Sequence, residues 1–219
     1  MSSQRNATQS SALDRAVEAF AAGEPVLIHD FDDREGEVDM VYPAPDVDSA
    51  AVSRLRNDAG GLVCVALGPE VADAFELPFL ADEIDHPVAE SDHLGYDERS
   101  SFSLTVNHRD TYTGITDADR ALTISRLGEG AADPDAIDFP REFRAPGHVH
   151  LLRASRYGLA DRRGHTEMAV ALAHEAGRPP AAVVCEMLDD ETGEARSVED
   201  ARAYANEHDI PYVEGADLV

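Results

Sequence analysis

The chain has 219 residues, of which 44 are Asp or Glu and 18 are basic, and because it contains no lysine all 18 are arginine, for a formal net charge of −26. That charge excludes nucleic acid and anionic membrane surfaces as partners, and no apolar run reaches the roughly 18 residues that would span a bilayer. The N-terminus lacks the basic-then-apolar order of a secretory signal, so a cytoplasmic protein is expected.

The acids are spread over the whole length instead of gathered in one tail, a pattern that suits a protein kept soluble at very high salt, where charges are screened over a few ångströms. A halophilic source is therefore expected. No Pro/Gly/Ser-rich linker divides the chain, which reads as a flexible tail over residues 1–10 followed by a single domain over 11–219. Cys64 and Cys185 lie far apart in the apolar runs GLVCVAL and AAVVCEML. They cannot make a zinc cluster by themselves and read as buried thiols, with a site-lining role for Cys64 as the lesser reading.

In chain order, Leu13, Val17 and Phe20 have helical spacing over 12–22, and Gly23 with Pro25 stops that helix before a strand at 25–29. An acidic decade, DFDDREGEVD over 30–39, separates it from a second strand beginning at Met40-Val41-Tyr42. A helix over 48–58 leads through Gly60-Gly61 into a buried strand at 62–67, and a polar region over 92–101 precedes an alternating strand at 102–106. The acid-rich stretch 128–142 reads as an exposed loop. A strand at 149–153, a helix at 164–176, a strand at 181–188, a helix at 197–207 and a last strand at Tyr212-Val213 complete the chain. Strands alternating with helices imply a layered α/β domain.

Three places carry candidate chemistry. The acidic decade crowds six carboxylates around Arg34, and either holds a hard cation or faces water. It is not a calcium loop of the EF-hand type, because placing Gly36 at the required glycine puts Phe31 first and Tyr42 last, where carboxylates are needed. Mg²⁺ or Mn²⁺ suits it better. Arg162-Arg163-Gly164-His165-Thr166-Glu167 enters a helix, so free N–H groups and guanidinium groups could receive a phosphate; the plain alternative is a helix capped by Thr166. Glu186 stands in an apolar run, where an unpaired carboxylate is costly to bury, unless it is a strand-end residue turned to water.

The ordered segments DDREGEVDMVYPA, GGLVCVAL, TGITDADRALTI, RAPGHVHLLRA, RRGHTEMAVALAHEAG and AAVVCEML resemble the 3,4-dihydroxy-2-butanone 4-phosphate synthases of riboflavin biosynthesis, from about residue 12 to the C-terminus. The resemblance implies an α+β fold, a three-layer α/β/α domain on a mixed sheet. It also implies a lyase using Mg²⁺ or Mn²⁺, two ions per site, to convert D-ribulose 5-phosphate into formate and 3,4-dihydroxy-2-butanone 4-phosphate. By the same resemblance Glu35 and His165 are metal ligands and bind substrate through the metal. Arg34, Asp39, Arg162 and Thr166 match substrate-binding positions, and His148 and Glu186 match the groups essential to the chemistry, with Asp39 a further catalytic candidate as proton carrier. The TGITDADR loop resembles a segment near the sugar phosphate, and a homodimer is implied. This chain departs from the common family residues at Gly36, where Asn is usual, and at Val38, Asp117 and Arg163. A fused GTP cyclohydrolase module is not expected. A metal-dependent sugar-phosphate phosphatase and a non-catalytic cation- or metabolite-binding domain are the competing readings.

Overall fold

The computed structural model describes residues 2–31, 34–89, 97 and 99–219, residues 2–11 as backbone only. Asp32, Asp33 and most of the polar region 92–101 therefore lie outside the described residues.

Seven strands, β1 Val26–His29, β2 Val38–Pro43, β3 Cys64–Leu67, β4 Phe102–His108, β5 Phe143–Arg153, β6 Ala181–Glu186 and β7 Tyr212–Glu214, form one mixed sheet in the order β4-β5-β3-β6-β2-β1-β7. The helices are α1 Ser2–Ala21, α2 Ser49–Asn57, α3 Pro69–Ala74, α4 Leu80–Glu83, α5 Asp117–Gly130, α6 Phe139–Glu142, α7 His165–Glu175 and α8 Val198–Glu207. The first turns of α1 occupy residues that composition marks as a tail.

The central strands β1, β2 and β3 are buried at every position because both faces of the sheet are covered. Alternate side chains go to opposite layers. Leu27, Met40, Tyr42, Val65 and Val183 pack with Leu55 of α2, Ile124 and Leu127 of α5 and Ala201 of α8. Ile28, Val41, Cys64 and Val184 pack with Phe20 of α1 and Met168 and Leu172 of α7. The result is the expected three-layer α/β/α domain. Truncating Ile124 or Leu172 to Ala, each fully buried, would cost about 2–5 kcal/mol.

The stretch 128–142 is an exposed loop only in its middle, over residues 131–138, and helical at both ends, where α5 runs to Gly130 and α6 covers Phe139–Glu142. α5 starts at Asp117, with the Thr116 hydroxyl accepting from the Asp119 N–H at 3.1 Å, and runs to Gly130. Gly128 is seated so close to Ala44 and Pro45 that a Cβ there would overlap them. Phe139 stacks on Phe75 and Phe143, with 4.8 Å between ring centroids in each pair. A few apolar anchors hold this segment while its acids face water. Among the described residues, no helix is long and apolar enough to cross a membrane.

Candidate active site

The acidic decade folds back on itself around Asp30. Its carboxylate accepts from the Glu37 N–H at 3.0 Å, the Glu35 N–H at 3.3 Å and Arg34 Nη1 at 3.2 Å, so two loop amides are satisfied by one side chain. Gly36 adopts φ +69°, a left-handed conformation that Gly takes freely and Asn tolerates better than most, which accounts for that departure from the family pattern. β2 then pairs antiparallel with β1, setting Asp39 opposite Ile28.

Pleat parity decides where Asp39 points. Val38, Met40 and Tyr42 face the α2/α5 layer, so Asp39 shares the other face with Val41 and meets the start of α7. There His165, the first residue of α7, is buried with Nε2 3.2 Å from the Ile28 carbonyl. A proton on Nε2 donates to that carbonyl and leaves Nδ1 as a bare lone pair. Nδ1 stands 3.4 Å from Asp39 Oδ1 and 3.8 Å from Glu35 Oε2. Burial holds the His165 pKa below the ordinary histidine value, which favours the neutral ring. Asp39 is pushed well above the carboxylate range by burial and then by Glu186, Glu35 and Glu37. Among the described residues its buried Oδ1 has no hydrogen-bond partner. Acceptors thus face acceptors, an arrangement that needs a cation or a proton between them. Asp30, Glu35 and His165 each offer a ligand atom, all within 4.8 Å of one another.

The neighbouring wall is cationic. Arg34 Nη1 donates to Glu35 at 2.7 Å and Nη2 to Asp97 at 3.2 Å. Arg162 donates from Nη1 to Glu167 at 2.7 Å and from Nε to Asp97. α7 begins at Gly164 without a side-chain cap, so Thr166 is the buried second residue of the helix, not its cap. The free amides of the first turn and the two guanidinium groups suit an anion.

Between the two walls lies a cavity of 230 Å³, lined by Arg34, Glu35, Asp39, Arg162, His165, Thr166 and Glu186 together with Asp97, Cys64 and Cys185. Both thiols are buried, and burial raises their pKa values, that of Cys185 to about 12. They line the floor as inert groups. Glu186 is exposed, contrary to a burial argument from its apolar run. It closes β6 directly opposite Asp39, at the rim of the cavity. Its neighbours Cys185 and Met187 are both buried, and Glu186 alone turns outward.

His148 is not among the residues lining the cavity. It is exposed on β5, where its N–H donates to Asn107 Oδ1 at 2.8 Å and its ring meets Asn107 Nδ2 at 3.1 Å. The regular pairing of β5 with β3 begins at His150↔Cys64, and the β4–β5 register is irregular between Val149 and Arg144, so His148 lies in the irregular part of β5. The TGITDADR loop packs on the same Asn107, since a Cβ on Gly114 would overlap it. Asp117 in that loop pairs with Arg56 at 3.1 Å and Arg120 at 3.0 Å, and the Arg56 bond comes first in lowering its pKa.

Three site residues escape sequence reasoning. Asp30 is one acid among six in its decade, and only the fold shows that it organises the others. Glu167 stands in the GHTE segment and is 1% exposed, which no pattern announces. Asp97 has no local signal at all.

The family model for 3,4-dihydroxy-2-butanone 4-phosphate synthase matches residues 14–219. A 3,4-dihydroxy-2-butanone 4-phosphate synthase of Archaeoglobus fulgidus is 50% identical, over 94% of this chain and 92% of that protein. Its namesake in Methanosarcina mazei is 48% identical, over 94% and 89%. A 3,4-dihydroxy-2-butanone 4-phosphate synthase solved in complex with two magnesium ions superposes with a TM-score of 0.82 at 30% identity over 94% of each chain. The Candida albicans enzyme does so with 0.78 at 32% over the same shares. The chain belongs to the 3,4-dihydroxy-2-butanone 4-phosphate synthase family, the lyases of riboflavin biosynthesis.

Proposed function

We propose that this protein converts D-ribulose 5-phosphate into formate and 3,4-dihydroxy-2-butanone 4-phosphate in the cytoplasm, with Mg²⁺ or Mn²⁺ as cofactor and two ions per site. The observation that carries this reading is the set of unmet acceptors, Asp39 Oδ1 without a hydrogen-bond partner among the described residues and His165 Nδ1 facing two carboxylates. Hard oxygen donors and one neutral imidazole suit a divalent ion of this kind, with Glu35 and His165 as its ligands and Asp30 beside them. When bound, the metal supplies Lewis-acid stabilisation of negative charge developing on the substrate oxygens.

The chain's own groups do the rest. Arg34, Arg162, Thr166 and the amides of the first turn of α7 receive the phosphate and so place the sugar carbons against the acids. Asp39 and Glu37 both have raised pKa values, chiefly through burial and next through Glu186, which suits groups that take up and return protons. Glu186 at the rim is the third proton carrier. Burying Cys64, Cys185, Val184 and Leu152 around the sugar keeps the site poor in water.

The same reading makes the protein a homodimer. His148 and the TGITDADR loop match positions at the substrate, yet lie outside the cavity lining of their own chain. Beside them Tyr112 is 93% and Ile115 53% exposed, an apolar surface that a second copy would cover. A second copy would then bring His148 to its partner's cavity. Mixing inactive Glu35→Gln with inactive His148→Ala protein should restore part of the activity, and no recovery after subunit exchange would reject the shared site.

Incubating the protein with ribulose 5-phosphate and Mg²⁺ while following formate by NMR tests the reaction. Inorganic phosphate as the product would favour a phosphatase instead, and binding of Mn²⁺ without any turnover a non-catalytic domain.

A further inference from the structure

We infer that Glu167 is a positioning residue that presets the Arg162 guanidinium for the substrate phosphate. The inference rests on the proposed role of the Arg162 wall as phosphate receptor and adds to it a residue that makes no contact with the cavity.

Glu167 is in the first turn of α7, and its side chain has no solvent exposure. A carboxylate in that position is tolerated only if both oxygens are engaged. Oε1 accepts from the Ser155 backbone N–H at 2.9 Å, and Oε2 accepts from Arg162 Nη1 at 2.7 Å. Ser155 lies just beyond β5, so the carboxylate is fixed to the sheet on one side and holds the arginine on the other. Gly164 supplies the second half of the arrangement. A Cβ there would overlap Arg162 Nη1 and come within 3.1 Å of Arg34 Nη2. The guanidinium therefore sits against the backbone at the start of α7, in the room that a Cβ on residue 164 would take, and Arg162 lines the cavity while Glu167 does not.

The two carboxylates on Arg162 have different standing. Asp97 lines the cavity whereas Glu167 does not, and both border the adjoining pocket beyond Arg162. A phosphate oxygen can replace Asp97 on Nε without disturbing the bond from Nη1 to Glu167. A guanidinium fixed on one edge loses less freedom when its other edge takes a ligand, so it binds more tightly.

Glu167→Gln keeps the volume and an acceptor for Ser155 but removes the charge that holds Arg162. The expected outcome is a KM for ribulose 5-phosphate raised about 10- to 100-fold, the size of one lost charge-assisted hydrogen bond, with kcat changed less than about threefold. In an Arg162→Ala background the same substitution should add nothing further. Calorimetric titration with inorganic phosphate should show the same pattern, and it reads the clamp even if the wild-type protein forms no formate. Absence of formate alone would defeat the lyase reading and leave the clamp standing on the phosphate titration. Thermal unfolding checks that each variant is folded, and Glu167→Asp, which withdraws the charge by one methylene, replaces the Gln variant if that one does not fold. An equal loss in both backgrounds, a fall in kcat at unchanged KM, or unchanged phosphate affinity would overturn the inference.

Discussion

The two walls of the cavity are built from equally charged residues and treat that charge in opposite ways. On the arginine wall each cation is matched: Arg34 by Asp30, Glu35 and Asp97, Arg162 by Asp97 and Glu167. On the acid wall, Asp39 Oδ1 has no hydrogen-bond donor among the described residues and faces the His165 lone pair at 3.4 Å. A matched wall is stable as it stands and must release a partner to bind. An unmatched wall is strained without its ligand and gains by binding.

The largest effects are expected at the acid wall. Glu35→Gln and His165→Ala should each lower formate production by about three orders of magnitude or more, because the whole Lewis-acid contribution depends on them. Full activity in either would contradict the ligand assignment. At the arginine wall, Arg162→Ala should raise KM about 100-fold while leaving more of kcat, since a phosphate grip acts on binding and orientation. A steady-state comparison of the two classes of variant separates them.

Two smaller effects sharpen the same contrast. Asp97→Asn removes the carboxylate that a substrate phosphate must displace, and KM should fall by a few-fold; a rise would show that Asp97 assists binding. Asp39→Asn should abolish turnover yet raise the thermal midpoint in EDTA at pH 7–8 by a few degrees, about 1 kcal/mol for a chain of this size. The sign follows from linkage. A carboxyl with a raised folded-state pKa favours the fold when protonated, and that contribution is lost as pH rises through the folded value, so an uncharged amide helps most above it. Below the unfolded-state pKa of Asp, about 3.9, the two proteins should melt alike. Finally, if the charge of −26 reflects adaptation to brine, the midpoint should climb between low and multimolar KCl, and a flat or falling midpoint would refute that reading.

Much of this was legible in the chain itself. Arg34, Glu35, Asp39, Arg162, His165 and Thr166 form ordered motifs, and strands β1 and β6 are marked by the apolar runs Val26–Ile28 and Ala181–Cys185, because residues buried on both faces leave no alternation. What sequence could not show depends on three-dimensional closure. Glu186 looks buried because Val183, Val184 and Cys185 are buried, but the strand ends at that residue. Helix α5 was hidden by acids on its solvent side, and its anchors, Leu127 against the sheet layer and Gly128 against Pro45, are contacts distant in sequence. Glu167 and Asp97 matter only because the fold brings Arg162 between them.

The most direct measurement is pulsed EPR of the protein loaded with one equivalent of Mn²⁺. A directly bound imidazole should give a ¹⁴N coupling, present in the wild type and lost in His165→Ala. Tight Mn²⁺ binding without that coupling, or with a coupling that survives the substitution, would contradict a cation shared by Glu35 and His165.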